Sequence, residues 1–180
     1  MIVVVNDANV LIDLVKLDII AHFFELPLVF YTTDFILEEL HTEQIECLTP
    51  FIQSGTFKIL SLSAEDLMEI NILQAEKAQL SIQDCSAIVC SNNINGSLIT
   101  SDNNLRKFAT SKNVTVRGHL WVFDQMVEHG KLSPKEAVVK LTELNTRVNV
   151  RLNLPKAECD LRIKKMGKLV ISEFERRSNY

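Results

Sequence analysis

Short apolar runs rich in β-branched residues alternate with longer segments of helical spacing along most of this chain, and this alternation limits its fold more than any other feature. The first run, Ile2–Asn6, has the composition of a fully buried strand and ends in polar residues. Strands that alternate with helices predict a mostly parallel central sheet with helices on both faces, an α/β fold of the three-layer α/β/α type. The later runs that we expect to form strands are 28–32, 57–60, 97–101 and 114–117.

Capping residues mark where several of the helices begin. Ser63 and Asp66 have the spacing of a capping box, as do Ser81 and Asp84, and Pro134 stands at the first position of a further helix. The helices that we expect are 10–25, 35–40, 63–79, 81–93, 103–111, 120–128 and 133–145. We also expect residues 50–54 to continue a helix that begins before them. Beyond these, we expect a strand over 148–152, a helix to about 165 and a last helix over 168–177.

The size and composition of the chain indicate a single soluble domain. It has 180 residues, of which 47% are hydrophobic, enough for an ordinary core. Its apolar runs are all shorter than the roughly 20 residues that a membrane span needs. The first run is also too short for a signal peptide and has no basic segment before it. We therefore expect a protein of the cytoplasm with no membrane association.

Charge is distributed unevenly along the chain, whose net charge is −4. Residues 1–146 contain ten Lys or Arg and nineteen Asp or Glu, a net charge of −9. Residues 147–180 contain nine and four, a net charge of +5. We therefore divide the chain into a domain over 1–146 and a basic C-terminal extension over 147–180. The extension could serve a nucleic acid, a dimer or another protein partner.

Several residue types that often form functional sites lack a pattern here. The four cysteines contain no Cys-x-x-Cys pair, so we expect small buried apolar groups rather than a zinc site. The four histidines are scattered without ligand spacing. Asp13, Asp34 and Asp124 match no motif, and we expect them at the surface.

Four acidic residues stand where parallel strands end or where helices begin. Asp7 follows the first strand and Asp102 follows the strand over 97–101. The helix that begins near Asp84 covers about 14 Å and the strand back to Asp102 about 16 Å, so both acids should lie at one edge of the sheet. Glu39, in the helix after the second strand, is within reach of that edge. Because gathered carboxylates repel each other, the set predicts a bound hard divalent cation, Mg²⁺ or Mn²⁺.

Each acid also has a purely structural explanation. Asp84 can close the box begun by Ser81, Asp102 can cap a helix, and Asp7 can stabilise a turn. Glu39 can be one charge on a solvated helix face, and its neighbour Glu38 competes with it for the site. If the four acids served only these separate structural roles, however, they would have no reason to meet at one edge of the sheet. Their predicted convergence therefore favours a shared site.

The four acids stand in four short motifs, which in chain order are Asp7-Ala8-Asn9, Leu37-Glu38-Glu39-Leu40, Ile82-Gln83-Asp84 and Leu98-Ile99-Thr100-Ser101-Asp102. In these motifs the chain resembles the PIN-domain nucleases, among them the VapC-type toxin ribonucleases. The resemblance spans about residues 2–145. The Leu-x-Glu-Leu motif of the family favours Glu39 over Glu38.

The resemblance implies a metal-dependent endoribonuclease with Asp7, Glu39, Asp84 and Asp102 as catalytic residues. Asp7, Asp84 and Asp102 would hold Mg²⁺ or Mn²⁺, and Glu39 would complete the shell or orient the attacking water. It further implies the toxin role of a toxin–antitoxin pair, an antitoxin protein as partner, and a homodimer. Breaking an RNA phosphodiester needs both an activated water and a counter-charge, and metal ions supply both.

Binding of the RNA backbone needs cationic or amide groups around such a site. Arg106 and Lys107, just after Asp102, are candidates, although each could be a solvated surface charge. Asn9 could bind a phosphate oxygen, orient Asp7 or only cap a helix.

Three other classes of function compete with the nuclease. A phosphoacceptor receiver domain would need paired acids near the first strand and a late lysine, and the sequence has no such pattern. A phosphatase of the haloacid-dehalogenase type normally has Asp-x-Asp after its first strand, and here the second position is Asn9. A PIN fold that binds RNA or protein without catalysis would carry the same acids, because an intact set is necessary for cleavage but not sufficient.

Overall fold

A five-stranded, all-parallel sheet forms the centre of the computed structural model, which describes residues 2–152 and 154–178 and, among these, side chains up to residue 167. Helices flank this sheet, and the predicted three-layer α/β/α fold is therefore confirmed. Each of the five predicted runs contains a strand, although the last two strands are shorter than expected. The strands are β1 (Ile2–Asn6), β2 (Leu28–Thr33), β3 (Phe57–Leu60), β4 (Ser97–Ile99) and β5 (Val116–Arg117), in the order β3-β2-β1-β4-β5.

The order of the strands reverses at β1. The chain builds outward from β1 to β2 and β3, then returns to place β4 and β5 on the other side. Asn6 of β1 is in register with Ile99 of β4, and the backbone N–H of Asp7 donates to the carbonyl of Ile99 at 3.1 Å. The residues that follow these two strands therefore lie at the same level, in the crevice where open α/β sheets bind their ligands.

The helices largely follow the capping signals. The helices α6 and α7 have the predicted bounds within a residue, and both predicted capping boxes are present. The helices are α1 (Ala8–Lys16), α2 (Ile20–Phe24), α3 (Asp34–Leu37), α4 (Thr42–Gln53), α5 (Ala64–Glu76), α6 (Ile82–Asn93), α7 (Asn103–Ser111), α8 (His119–Glu128), α9 (Pro134–Glu143) and α10 (Lys156–Ser178).

The predicted single helix over 10–25 is wrong, because Asp18 divides it. Asp18 has a φ of 56°, the left-handed conformation that ends many helices. Its N–H donates to the carbonyl of Val15 at 2.9 Å, and that of Ile19 donates to Leu14 at 3.1 Å. These bonds form a Schellman motif, which turns the chain between α1 and α2.

The region after α9 also differs from the prediction. The expected strand over 148–152 is wrong: a π-helical turn (Leu144–Val148) continues α9, and a 3₁₀ turn (Val150–Leu152) follows it. Of the alternating apolar residues, Val148 and Leu152 pack against the core, whereas Val150 is exposed. The continuous α10 replaces the two helices that we expected. The predicted division at 146 falls within the π-helical turn, and it stays a prediction.

The core lies on both faces of the sheet. Val4 and Val5 of the central β1 are fully buried, and α6 packs against β1, β2 and β4. The cysteines are free thiols; all but the exposed Cys47 are buried as expected. Among the described residues, no helix combines the length and the apolar content of a membrane span.

Candidate active site

Asp7 lies at the carboxyl end of β1, as the N-cap residue of α1, and its side chain is almost fully buried at 2% exposure. Its Oδ2 accepts a hydrogen bond from Thr100 Oγ1 at 2.7 Å. Burial raises the pKa of Asp7 to about 7, and the charges of Asp84 and Glu39 add to this, while the Thr100 bond opposes it. A carboxylate in this position is therefore costly to ionise unless a cation is nearby.

Asp84 lies in the first turn of α6. Its Oδ2 accepts from the backbone N–H of Ser81 at 2.9 Å, and its own N–H donates to Ser81 Oγ at 2.9 Å. Burial raises the pKa of Asp84 despite these bonds, and the charge of Asp102 raises it further. The capping role occupies one carboxylate oxygen only, so capping and ligation do not exclude each other.

Asp102 caps α7 in the same way, since its Oδ1 accepts from the N–H of Leu105 at 2.7 Å. Its own N–H donates to Thr100 Oγ1 at 3.0 Å. The hydroxyl of Thr100 thus bridges Asp102 and Asp7 at the end of β4. No role was predicted for Thr100 from the sequence. The sequence signal that could have pointed to Thr100 is its position two residues before Asp102.

Glu39 reaches the same place from a turn rather than from a helix. The expectation that it lies in the helix after the second strand is wrong, because α3 ends at Leu37. Glu39 and Glu38 are both exposed, but only Glu39 lines a cavity with Asp84 and Asp102. Partial burial raises the pKa of the Glu39 carboxyl, and the charge of Asp84 adds to the shift.

These residues form an open cavity of about 520 Å³, which we call the acidic cleft. Asp7 is buried beside it, next in the chain to Ala8 and Asn9, which line it. Among the residues that the structure describes, no Lys, Arg or His forms an ion pair with any of the four acids. The side chains that line the cleft include Asn9, Glu39, Ser81, Asp84 and Asp102.

The donor set of the acidic cleft fits a hard divalent cation. Asp84 and Asp102 line the cleft, and each uses one carboxylate oxygen in a helix cap, which leaves the second available. Asp7 is buried beside them and uses one oxygen to accept from Thr100. In the described ranges, no three His, Cys, Asp or Glu side chains lie close enough to enclose an ion by themselves. Mg²⁺ usually takes one or two carboxylates from the protein and keeps several waters, and the carboxylates that line the cleft are ligands of that kind.

The two predicted cationic residues lie outside the acidic cleft. Nη2 of Arg106 donates to the carbonyls of Thr100 at 2.8 Å and Arg117 at 3.0 Å, so this side chain ties the ends of β4 and β5 together. Lys107 is exposed and lines a separate shallow cavity with Lys77. Their roles toward a substrate, and that of the exposed Asn9, stay predictions.

One of the three acids expected at the surface is buried. Asp34 is exposed as predicted, and Asp124 lies partly exposed at the surface in an ion pair with Arg162 at 2.9 Å. Asp13 is buried at 2% exposure, so the sequence expectation for Asp13 is wrong. The groups that contact Asp13 come from distant parts of the chain, so no local pattern marks it.

Comparison with known families gives one match. Residues 3–167 match the sequence model of a family described as a PIN domain. The matched region contains the sheet except for Ile2, all four acids and the first half of α10. No curated protein matches the chain. The match concerns the PIN domain in general, and membership among the VapC-type toxins stays a prediction.

Proposed function

The chain belongs to the PIN-domain family, whose members are generally nucleases, and we propose that it is a metal-dependent ribonuclease that hydrolyses RNA phosphodiester bonds at the acidic cleft. The observation that carries this proposal is the uncompensated charge around Asp7. Its carboxyl is buried, has a pKa of about 7 and is coupled to Asp84 and Glu39. A divalent cation would remove that electrostatic cost, which gives the arrangement a chemical purpose.

In this proposal, Asp7, Asp84 and Asp102 hold Mg²⁺ or Mn²⁺, which when bound supplies an activated water and a counter-charge for the phosphate. Thr100 fixes the orientation of Asp7 and Asp102 through its hydroxyl, and Ser81 fixes Asp84. Glu39 is the most accessible of the acids, and its raised pKa suits a group that orients the attacking water and accepts a proton from it.

Cleavage of a mixed RNA panel with Mn²⁺, with Mg²⁺ and with EDTA tests the proposal. The variant is Asp84→Asn, and its matched control is Asp66→Asn, because Asp66 occupies the same capping-box position at the start of α5. We expect metal-dependent cleavage by the wild type and by Asp66→Asn, and none by Asp84→Asn. Cleavage that survives EDTA or the Asp84 substitution would contradict the proposal.

Manganese titration separates the nuclease from a non-catalytic binding module. Binding of Mn²⁺ that is weakened by Asp84→Asn, together with no cleavage of any RNA in the panel, would favour the binding module. No binding of Mn²⁺ by the wild type would contradict the metal site itself.

The toxin role, the antitoxin partner, the homodimer and the cytoplasmic location are proposals that rest on the sequence and on the family resemblance. The mass of the purified protein in solution tests the homodimer. Inhibition of cleavage by the product of a neighbouring gene tests the antitoxin.

A further inference from the structure

A second cavity, of about 510 Å³, adjoins the acidic cleft through a single turn of the chain. Asp102 lines the cleft, while its neighbours Ser101 and Asn103 line the second cavity. We call this cavity the arginine pocket, because Arg106, Arg117 and Arg162 all line it. A strand of RNA bound across the cleft would reach the pocket as it passes this turn.

The arginine pocket carries positive charge in a protein whose net charge is −4. Arg162 is neutralised, since it bonds both oxygens of Asp124, at 3.0 and 2.9 Å, and also Glu158. Arg106 is fixed by two backbone carbonyls, which leave its charge uncompensated. Arg117 is exposed, and within the described side chains it has no ion-pair partner. Two cationic groups are therefore available to an anion.

The helix α8 begins inside this pocket. Its N-cap residue is Gly118, which supplies no side-chain cap, so the first N–H groups of the helix are open to an anionic ligand. A Cβ at Gly118 would lie 2.7 Å from Arg106 Nη2, so the glycine allows the guanidinium to lie against the start of the helix. The first N–H groups of α8 and the fixed guanidinium of Arg106 thus lie together at the start of the helix.

The ring of His119 is a separate indication of a ligand here. His119 lines the pocket, although it is 1% exposed, and its Nδ1 has no hydrogen-bond partner among the described residues. A buried polar atom without a partner is costly, and a hydrogen-bonding ligand removes that cost.

One wall of the pocket suits a nucleobase. Trp121 is half-buried, and the guanidinium of Arg117 lies 5.5 Å from the centre of its ring. Leu152, Leu154 and Pro155, from the predicted basic extension, line the same cavity. Proteins bind single-stranded RNA by stacking bases on such aromatic rings beside cationic groups that contact the backbone.

We propose that the arginine pocket binds the nucleotide of a single-stranded RNA next to the one that is cleaved. The backbone phosphate of this nucleotide lies at the start of α8 beside Arg117, and the base of the same nucleotide stacks on Trp121. This inference rests on the proposed function for its link to cleavage. It also gives the segment after residue 146 a role, because that segment supplies part of the wall.

Fluorescence can test this binding without any cleavage, because Trp121 is the only tryptophan of the chain. Full-length protein in EDTA is titrated with a short single-stranded RNA of mixed sequence and, separately, with inorganic phosphate. We expect saturable quenching of Trp121 by the RNA and not by phosphate. Arg117→Gln should weaken RNA binding several-fold and reduce the slope of log K against log salt by about one.

Lys58→Gln is the matched control for Arg117→Gln. Lys58 is also an exposed cation near an aromatic ring, 5.5 Å from the centre of Tyr31, but it lies on β3 at the opposite edge of the sheet. This variant should bind RNA as the wild type does. With labelled RNA, Trp121→Ala should lose about tenfold in affinity, and Trp121→Phe should retain most of it, because it keeps an aromatic face.

The outcomes separate this inference from the proposed function. RNA that leaves Trp121 fluorescence unchanged, or equal affinities for Arg117→Gln and Lys58→Gln, would overturn the pocket even if the protein cleaves RNA. Equal quenching by phosphate and RNA would reduce the pocket to an anion site and overturn the nucleotide assignment. Quenching by RNA with no metal-dependent cleavage would uphold RNA binding and overturn the nuclease.

Discussion

Oδ2 of Asp13 lies 3.1 Å from Nε2 of His119, and both side chains are buried where α1 meets the start of α8. Neither ring nitrogen of His119 meets hydrogen-bond geometry within the described part of the chain, so this is a close polar contact rather than a directed hydrogen bond. Asn149 Nδ2 donates to the same carboxylate oxygen at 2.8 Å. This cluster joins the helix that follows Asp7 to the helix that begins in the arginine pocket, and so it fixes the two cavities relative to each other.

Replacing Asp13 with alanine should therefore destabilise the fold. The substitution removes the carboxylate that accepts from the half-buried Asn149 and contacts the buried His119, and the loss of such a buried polar partner costs about 2 kcal/mol. Urea unfolding of the metal-free protein measures the change. Asp160→Ala is the control, because Asp160 is an exposed aspartate on α10 and should change stability by less than about 0.5 kcal/mol. Equal stabilities of the two variants would show that the buried cluster contributes nothing.

The hydroxyl of Ser81 should matter for activity as well as for stability. Ser81 and Ser63 make the same capping box, at α6 with Asp84 and at α5 with Asp66. Replacing either serine by alanine should cost about 1 kcal/mol of unfolding free energy. Only Ser81→Ala should also lower metal-dependent cleavage, because only Asp84 lines the acidic cleft.

Comparison of the two serine variants at one temperature, well below both unfolding midpoints, makes this test specific. Manganese affinity should fall for Ser81→Ala and stay unchanged for Ser63→Ala. If both variants lose activity equally, the loss comes from general destabilisation, and the orienting role of Ser81 is refuted.

The stability of the metal-free protein should depend on pH through Asp7. Its pKa is about 7 in the folded protein, above the ordinary 3.8, so the unfolded chain loses this proton first as the pH rises. Protonated Asp7 therefore contributes its full stabilisation of the folded protein below pH about 4, and this contribution is lost as the pH rises to about 7. Across that window Asp7→Asn should gain up to about 4 kcal/mol relative to the wild type in urea unfolding.

Measuring the difference between the two proteins isolates Asp7, because the raised pKa values of Glu39 and Asp84 act in the same direction in both. Saturating Mn²⁺ near pH 8 should shrink or reverse the advantage of Asp7→Asn, since only the wild type gains stability from tight metal binding. A difference that does not vary with pH would contradict the assigned cause.

The strands and the caps could be predicted because their signals are local. The run Ile2–Asn6 gave β1 with its observed bounds, and the boxes of Ser63 and Ser81 marked where α5 and α6 begin. The alternation of strands and helices then placed Asp7 and Asp102 at one edge of the sheet. Connectivity alone produced this result, without any knowledge of side-chain contacts.

The features that were missed depend on contacts between distant residues. Asp13 is polar within an apolar helix, and only its contacts with His119 and Asn149 explain its burial. The role of Thr100 appears only when β4 lies beside β1, which brings its hydroxyl to Asp7. The direction of Arg106, toward the carbonyls of β4 and β5, likewise depends on the packing of α7.

We expect the basic extension to fold as part of the domain. Met166 on α10 is 3% exposed and belongs to the core, and α10 packs against α9. A helix that shares the core should unfold together with it. Met166→Ala should therefore lower the free energy of unfolding by about 2 to 3 kcal/mol in a single transition.

Leu161→Ala is the matched control, because Leu161 lies on the same helix but is 62% exposed. This variant should be nearly neutral, since it removes little buried surface. Circular dichroism and Trp121 fluorescence should report the same urea midpoint for Met166→Ala, because Trp121 and the extension line one pocket. Two separate transitions, or no effect of Met166→Ala, would instead support an independent extension that begins near residue 147.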